Sequence, residues 1–475
     1  LHHETATLSD GPKTSFSPSY GLREGALSPL ETLAQSVSTI APSTSPPATI
    51  PFVFALAGQG TAIAYLLATA LMIVVGLCVA AFARESSSPG SLYVYTRRSL
   101  PATCGAVTAW ALFCAYIATA SAVIGGVLRF AFVFLDRIPA TQHLPRVAIS
   151  VVLVAITAAT ATWVAYRDVK ISAQLMLYIE AVSVLLIAIV IGVTLVQHGL
   201  HFDRAQFAVS TLLRWPSSRG IGLGVMLAIF SFVGFESATT LGAEARNPLR
   251  TIPRAVIQSS LLAGLFFVVC CYGEVLGFAG SAVSLDQSDA PFHYLAAHAH
   301  IGFAAGVIDA GVLISAFAAT LACVIAASRV LLLMAHDGMA PARLQHTSAK
   351  HETPGLASIL AGVLAFIPTA LMALHGVTGS DIYNWAGTFA VYGFLTAYGM
   401  VAVALAFHLK ATGRLTPGMM LLTGLAALSM LAAMASNFYP VPPAPLVYFP
   451  YAYAAYLIVA VGWMLIHLRR SAARS

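Results

Sequence analysis

Apolar runs of roughly 20 residues, enough to span about 30 Å of hydrocarbon, recur along this 475-residue chain. Twelve can be read, the first centred near Ile40 and the last near Val459. Only 9% of residues are Asp, Glu, Lys or Arg, against about a quarter in soluble domains. A surface that poor in charge faces lipid. The expectation is therefore an all-α polytopic membrane protein of twelve transmembrane helices. With both termini on the cytoplasmic side, eighteen of the 24 Lys and Arg residues fall in cytoplasmic segments, five in outer ones, and Arg129 near the outer end of the third helix. Translocated loops disfavour these residues, so the asymmetry predicts cytoplasmic N- and C-termini in a cell inner or plasma membrane. The net charge of +6 then reflects topology. No soluble basic face is left to hold phosphates, which excludes a nucleic-acid partner. The partners expected are the lipid bilayer and a small molecule.

The first run contains SVSTIAPSTSPPATIP, with Pro42, Pro46, Pro47 and Pro51. Each proline deletes an N–H donor and clashes with the preceding turn. In hydrocarbon, irregular backbone is tolerated only beside a protein-lined or watery cavity. The sixth run is interrupted too, at Gly234, Phe235 and Glu236. Two broken helices five helices apart predict an inverted repeat, whose breaks meet at the bilayer midplane and form a substrate site. The domain reading follows. Residues 1–25 are a flexible cytoplasmic tail and 26–200 are helices 1–5. Residues 201–411 are helices 6–10, and 412–475 are helices 11 and 12 with a short tail.

Depth singles out two acids. Glu180 lies ten residues past Lys170, and Glu236 ten before Arg246. At a rise of 1.5 Å per residue both sit about 15 Å deep. Glu274 and Asp309 lie twenty residues from Arg254 and Arg329, which predicts the outer surface, about 30 Å away. Carboxylates at mid-membrane are costly and are functional candidates, so Glu236 and Glu180 are the coupling candidates. The sequence holds no HExxH pair and no GxSxG elbow. An enzyme is not expected, and a channel does not explain two matched breaks with midplane acids. The six cysteines lack metal-ligand spacing and read as packing residues.

FSFVGFESATTLGAEARNPLRTIPRAV (230–256) resembles the sixth helix and following loop of amino acid–polyamine–organocation (APC) permeases. AASRVLLLMAHDGMAPARL (326–344) resembles their eighth helix and its exit. SPGSLYVYTRRSLPATCGAVTAWALF (88–113) resembles their second-to-third connection and third helix. The resemblance implies a LeuT-type 5+5 inverted repeat with discontinuous helices 1 and 6, helices 11 and 12 added, and alternating-access transport of an amino acid or related amine. It places substrate against Ala41, Pro42, Ser43, Thr44 and Ser45 in the first break, and against Gly234, Phe235 and Glu236 in the second. Phe230 matches a gating aromatic, and Tyr116 a site-facing position on the third helix. No cofactor is implied beyond a coupling ion, H+ or Na+, with a sodium site near Thr320 as one option. One departure matters. Relatives bind a substrate carboxylate with N–H groups of a glycine-rich first break, whereas here it reads APSTSPP. That leaves open a polyamine, a nucleobase or another small heterocycle, unless the Ser43, Thr44 and Ser45 hydroxyls replace the missing donors.

Overall fold

The computed structural model describes residues 20–86, 88–141, 143–167, 169–199, 202–208, 217–288, 290–439, 441–442 and 444–472. Among these the chain is helical throughout, apart from one isolated bridge between Leu27 and Ala245. Fifteen α-helices follow in order. They are α1 (Pro29–Ile40), α2 (Ser45–Ala57), α3 (Thr61–Ala83), α4 (Ser91–Arg97), α5 (Ala102–Leu135), α6 (Arg146–Arg167), α7 (Val169–Gln197), α8 (Ser217–Phe230), α9 (Pro248–Gly277), α10 (Pro291–His298), α11 (Gly302–His336), α12 (Gly355–Leu374), α13 (Gly379–Ala411), α14 (Pro417–Ser436) and α15 (Phe449–Ala472). Among the described residues ten stretches are long and apolar enough to cross a membrane. The first, Pro29–Ala83, is 55 residues long and includes the first break, and the shorter apolar helix Gly220–Phe230 leads into the second.

Local sequence explains how the breaks are made. Ser28 caps α1 with a reciprocal capping box: the Glu31 N–H donates to Ser28 Oγ at 3.3 Å and the Ser28 N–H to Glu31 Oε2 at 2.8 Å. The helix stops at Ala41, which turns left-handed with φ 51°. Pro46 and Pro47 then fall in the first turn of α2, where a missing N–H has no helical partner to lose. The unwound stretch is thus only Ala41–Thr44, and Ser45, expected in it, opens α2 instead. The second break runs as turns over residues 231–236, between the end of α8 and a 3₁₀ turn at Ser237–Leu241.

The interior is built on α5 and α13, which pack along one another, with α11 against α5 and α9 against α3. Small residues bring α5 and α13 close, as expected where helices associate inside a membrane. A Cβ at Gly393 would sit 2.4 Å from the Ala111 carbonyl oxygen, and one at Gly379 would sit 2.7 Å from that of Gly125. One expectation changes. Arg329, assigned to a cytoplasmic segment, lies inside α11 and is fully buried. Residues 1–19 of the expected tail lie outside the described residues; of the rest, Leu22 is buried and the Tyr20 ring meets the His336 ring edge-on at 5.3 Å, while Gly21, Arg23, Glu24 and Gly25 are exposed.

Candidate functional site

The two breaks touch. Ser36 Oγ donates to the Phe235 carbonyl at 2.6 Å and accepts from the Ala238 N–H at 3.0 Å. The Thr39 and Ser237 hydroxyls pair at 2.8 Å. Gly234 has φ +96°, and a Cβ there would lie 2.2 Å from Thr39 Cγ2. Only glycine allows both that backbone conformation and that approach. Unwound backbone here is satisfied by side chains of the opposing half-helix, as a low-dielectric setting requires.

Glu236 sits in this junction with no solvent exposure. Its two carboxylate oxygens each accept one phenol: Tyr116 of α5 donates to Oε1 at 2.7 Å, and Tyr398 of α13 donates to Oε2 at 2.5 Å. Tyr116, Gly234, Phe235 and Glu236 are thereby brought together. Tyr398 was not anticipated from sequence, since a tyrosine in an apolar helix carries no mark of its facing. Phe230 ends α8 and is buried, its ring 5.6 Å from that of Tyr383 at an interplanar angle of 69°. The Tyr383 hydroxyl pairs in turn with Thr49 of α2 at 3.1 Å. Phe230 thus lies against a polar pair that joins α2 to α13.

The first break is organised around the second acid. Glu180 of α7 is buried, and its Oε1 accepts both the N–H and the hydroxyl of Ser43, at 3.1 and 2.9 Å. The Thr44 and Ser45 N–H groups both go to the Ala41 carbonyl at 2.9 Å. The Thr44 hydroxyl goes to the Val312 carbonyl at 3.2 Å, and that of Ser45 to the Ile40 carbonyl at 2.9 Å. Pro42, Pro46 and Pro47 have no N–H to give. Every backbone donor from 42 to 47, and every hydroxyl of Ser43, Thr44 and Ser45, is therefore absent or committed. Glu180 Oε2 and Ser315 Oγ are buried and lie close to one another, and neither makes a hydrogen bond of normal geometry among the described residues. Thr320 is buried and donates to Ala316 within its own helix at 3.0 Å. No group of three or more His, Cys, Asp or Glu residues that could hold a metal occurs among the described residues.

Beyond the second break, Arg329 of α11 donates from Nε and Nη2 to the two oxygens of Glu244, at 2.6 and 2.8 Å, with both side chains fully buried. Asp309, placed by depth near the outer surface, is buried and paired with His293 at 2.7 Å.

The family model described as Amino acid permease matches residues 48–474. The chain is 24% identical over 404 residues to the Branched-chain amino acid permease BcaP of Bacillus subtilis, an alignment covering 78% of this chain and 79% of that protein. It is 26% identical over 330 residues to Cationic amino acid transporter 4, vacuolar, of Arabidopsis thaliana, covering 65% of this chain and 52% of that one. It is 25% identical over 309 residues to the Low-affinity putrescine importer PlaP of Escherichia coli, covering 64% and 66%. Among solved structures it resembles the manganese transporter of Eremococcus coleocola in a crystal structure of a mutant form, at a TM-score of 0.58 and 15% identity over 93% of this chain and 95% of that one. That last likeness concerns the fold alone.

Proposed function

The chain belongs to the amino acid permease family, whose members are transporters rather than enzymes, and on that premise we propose that it moves a small amine-bearing solute across the cell's inner or plasma membrane by alternating access. The observation that carries this reading is Glu236, a buried carboxylate in the second break with one phenol on each oxygen. Each carboxylate oxygen has two lone pairs. The phenols use one per oxygen and the Gly234 and Glu236 N–H groups lie near the same carboxylate, so an ammonium group binds here by taking the place of one of these donors. The relatives point the same way: one is named for branched-chain amino acids, one for cationic amino acids and one for putrescine. The chemistry common to those cargoes is the amine. Recognition of a carboxylate at the first break loses support, because its N–H groups and hydroxyls are already committed. This favours an amine or a cationic amino acid over a cargo held by its carboxylate.

In this reading the 55-residue stretch Pro29–Ala83 crosses the membrane twice, being far longer than the roughly 20 residues one crossing needs. Gly220–Phe230 with the following turns makes another crossing, which brings the total to twelve. Residues 26–200 and 201–411 are the two inverted halves, and 412–475 adds the last two crossings. Both termini are cytoplasmic. Substrate lies between Ala41–Ser45 and Gly234–Glu236, beside Tyr116, and Phe230 closes over it. Glu180, with Ser315 across from it, is the place at the first break for a coupling proton or sodium ion.

A thermal-shift panel on purified protein tests the cargo. Ligand at 100 times its Kd stabilises the folded state by about 2.7 kcal/mol. Putrescine and arginine are expected to raise the melting temperature of the parent chain and to lose that effect in Glu236→Gln. A shift from adenine alone would transfer the site to a heterocycle. A leucine shift that survives Glu236→Gln would remove the amine from Glu236.

A further inference from the structure

Glu274 stands three residues before the end of α9, with no solvent exposure, and neither carboxylate oxygen has a hydrogen-bond partner among the described residues. Glu236 and Glu244 have both oxygens bonded, and Glu180 has one. A buried, unpaired carboxylate costs several kcal/mol when charged, so a side chain kept in this state calls for an explanation. The groups around it narrow the answer. Tyr65 of α3 and Arg129 of α5 are close enough to interact electrostatically, as are Cys270 and Cys271 one turn back on the same helix. Ile191 and Thr194 of α7 and Leu295 of α10 close the helix face at Gly273 and Gly277. The Thr194 hydroxyl is bonded to Val190. His198 bonds to the Thr194 carbonyl, and Tyr294 stacks between Phe278 and His298, one turn beyond Glu274. Hard metal cations gather about six oxygens or more, and thiols, one phenol and aliphatic groups do not supply them. A proton needs only the carboxylate.

Tyr65 supplies a connection. Its hydroxyl pairs with Ser231 Oγ at 3.0 Å, and Ser231 is the first residue of the second break. We propose that Glu274 is a proton-binding site that couples transport to the pH gradient, linked by the Tyr65 and Ser231 hydroxyls to the second break. The inference rests on the transport reading and adds a group which that reading does not use. Binding a proton removes a buried charge that no hydrogen bond satisfies, so loading and unloading change the energy of packing this end of α9. A group whose occupancy favours one packing over another shifts the balance between conformations.

The test uses the full chain and its Glu274→Gln variant in proteoliposomes, with radiolabelled leucine and putrescine as probes. Each is measured as counterflow without a gradient and as accumulation under an inside-alkaline gradient. One pH unit drives about tenfold accumulation per coupled proton. Glu274→Gln, which mimics the protonated side chain in shape, is expected to keep parental counterflow and lose that accumulation. Tyr65→Phe, which leaves the carboxylate in place, is expected to slow gradient-driven uptake while the final level is kept. Infrared spectra of the same samples report the site without any cargo: the carbonyl stretch of a protonated carboxyl group is expected in the parent and should be diminished in Glu274→Gln. Parental gradient-driven accumulation in Glu274→Gln, or an unchanged carboxyl band, overturns the proposal. If the parent moves neither probe, the choice of cargo fails, and the infrared comparison still decides whether Glu274 holds a proton.

Discussion

Arg329 and Glu244 are both fully buried, and two parallel N–H···O bonds at 2.6 and 2.8 Å make that tolerable. Removing one partner strands the other. Glu244→Ala is expected to destabilise the chain by roughly 3–5 kcal/mol, whereas a paired apolar replacement of both residues is close to neutral; thermal melting in detergent distinguishes the two. Glu85, outside the helices, behaves differently. Burial raises its pKa, but hydrogen bonds from Arg414 at 2.7 Å and His408 at 2.9 Å outweigh that and leave it below the usual carboxylate value. A depressed carboxylate contributes stability above its unfolded pKa of about 4.3, and the contribution is lost as pH falls through the folded value. The melting temperature of the parent should therefore drop on acidification below about pH 4.3, and Glu85→Gln should drop less. An equal drop in both would exclude Glu85 as the source. At this scale sequence was an uneven guide. Glu236 was legible because a lone acid in an apolar run is costly and stands out. Tyr398 was not, although it holds the same carboxylate, because a membrane tyrosine is equally at home packing. Glu274 was placed by counting residues, but counting gives depth and not burial, so its isolation appeared only in three dimensions.

Among the elements, the breaks were legible and their extent was not. Four prolines announced that the first run could not be one helix. Yet Pro46 and Pro47 begin α2 rather than extend the break, since a first-turn proline forfeits no bond. The short helices α4 and α10, of 7 and 8 residues, left no signal, being too brief for a periodic pattern to register. The packing of α5 on α13 was equally hidden, because it depends on which glycines face a neighbour. Gly393 does, with a carbonyl oxygen 2.4 Å from where its Cβ would be. Gly192 of α7 has nothing within 4 Å. Overpacking a tight contact costs about 1–3 kcal/mol, whereas Gly to Ala at an unstrained site gains about 0.4–1 kcal/mol through the unfolded chain. Gly393→Ala is thus expected to lower the melting temperature and Gly192→Ala to hold or raise it. If the two substitutions shift it alike, close approach does not set the α5–α13 contact.

For the whole molecule, the sequence argument rested on alternation: eighteen basic residues on one side against five on the other. The ion pairs bear on it independently. In Arg23–Glu352, Arg97–Asp337, Arg414–Glu85 and Arg329–Glu244 the arginine is one counted as cytoplasmic, and His408 shares Glu85 with Arg414, although Arg329 itself lies within α11. In Arg137–Asp309 and Arg146–Asp136 the arginine is one counted as outer, and His293 shares Asp309 with Arg137. Among the described residues no ion pair links the two sets, as is required if about 30 Å of hydrocarbon separates them. The alternation can be tested position by position. Ala282, Lys350, His375 and Thr412 are exposed and lie between successive helices from α9 to α14, except that α10 intervenes between Ala282 and α11. The six native cysteines all lie within α3, α5, α9 and α11, which keeps the background low. Single cysteines at these four positions, probed with a membrane-impermeant thiol reagent, should label in turn. Ala282→Cys and His375→Cys should react in intact cells, and Lys350→Cys and Thr412→Cys only in inside-out vesicles. Complete reversal would invert the orientation and leave the crossings intact. Two neighbours in the series reacting from the same side would remove a crossing at α11, α12 or α13. The pairing of the two halves would fall with it, because five crossings in the first half would then face only four in the second.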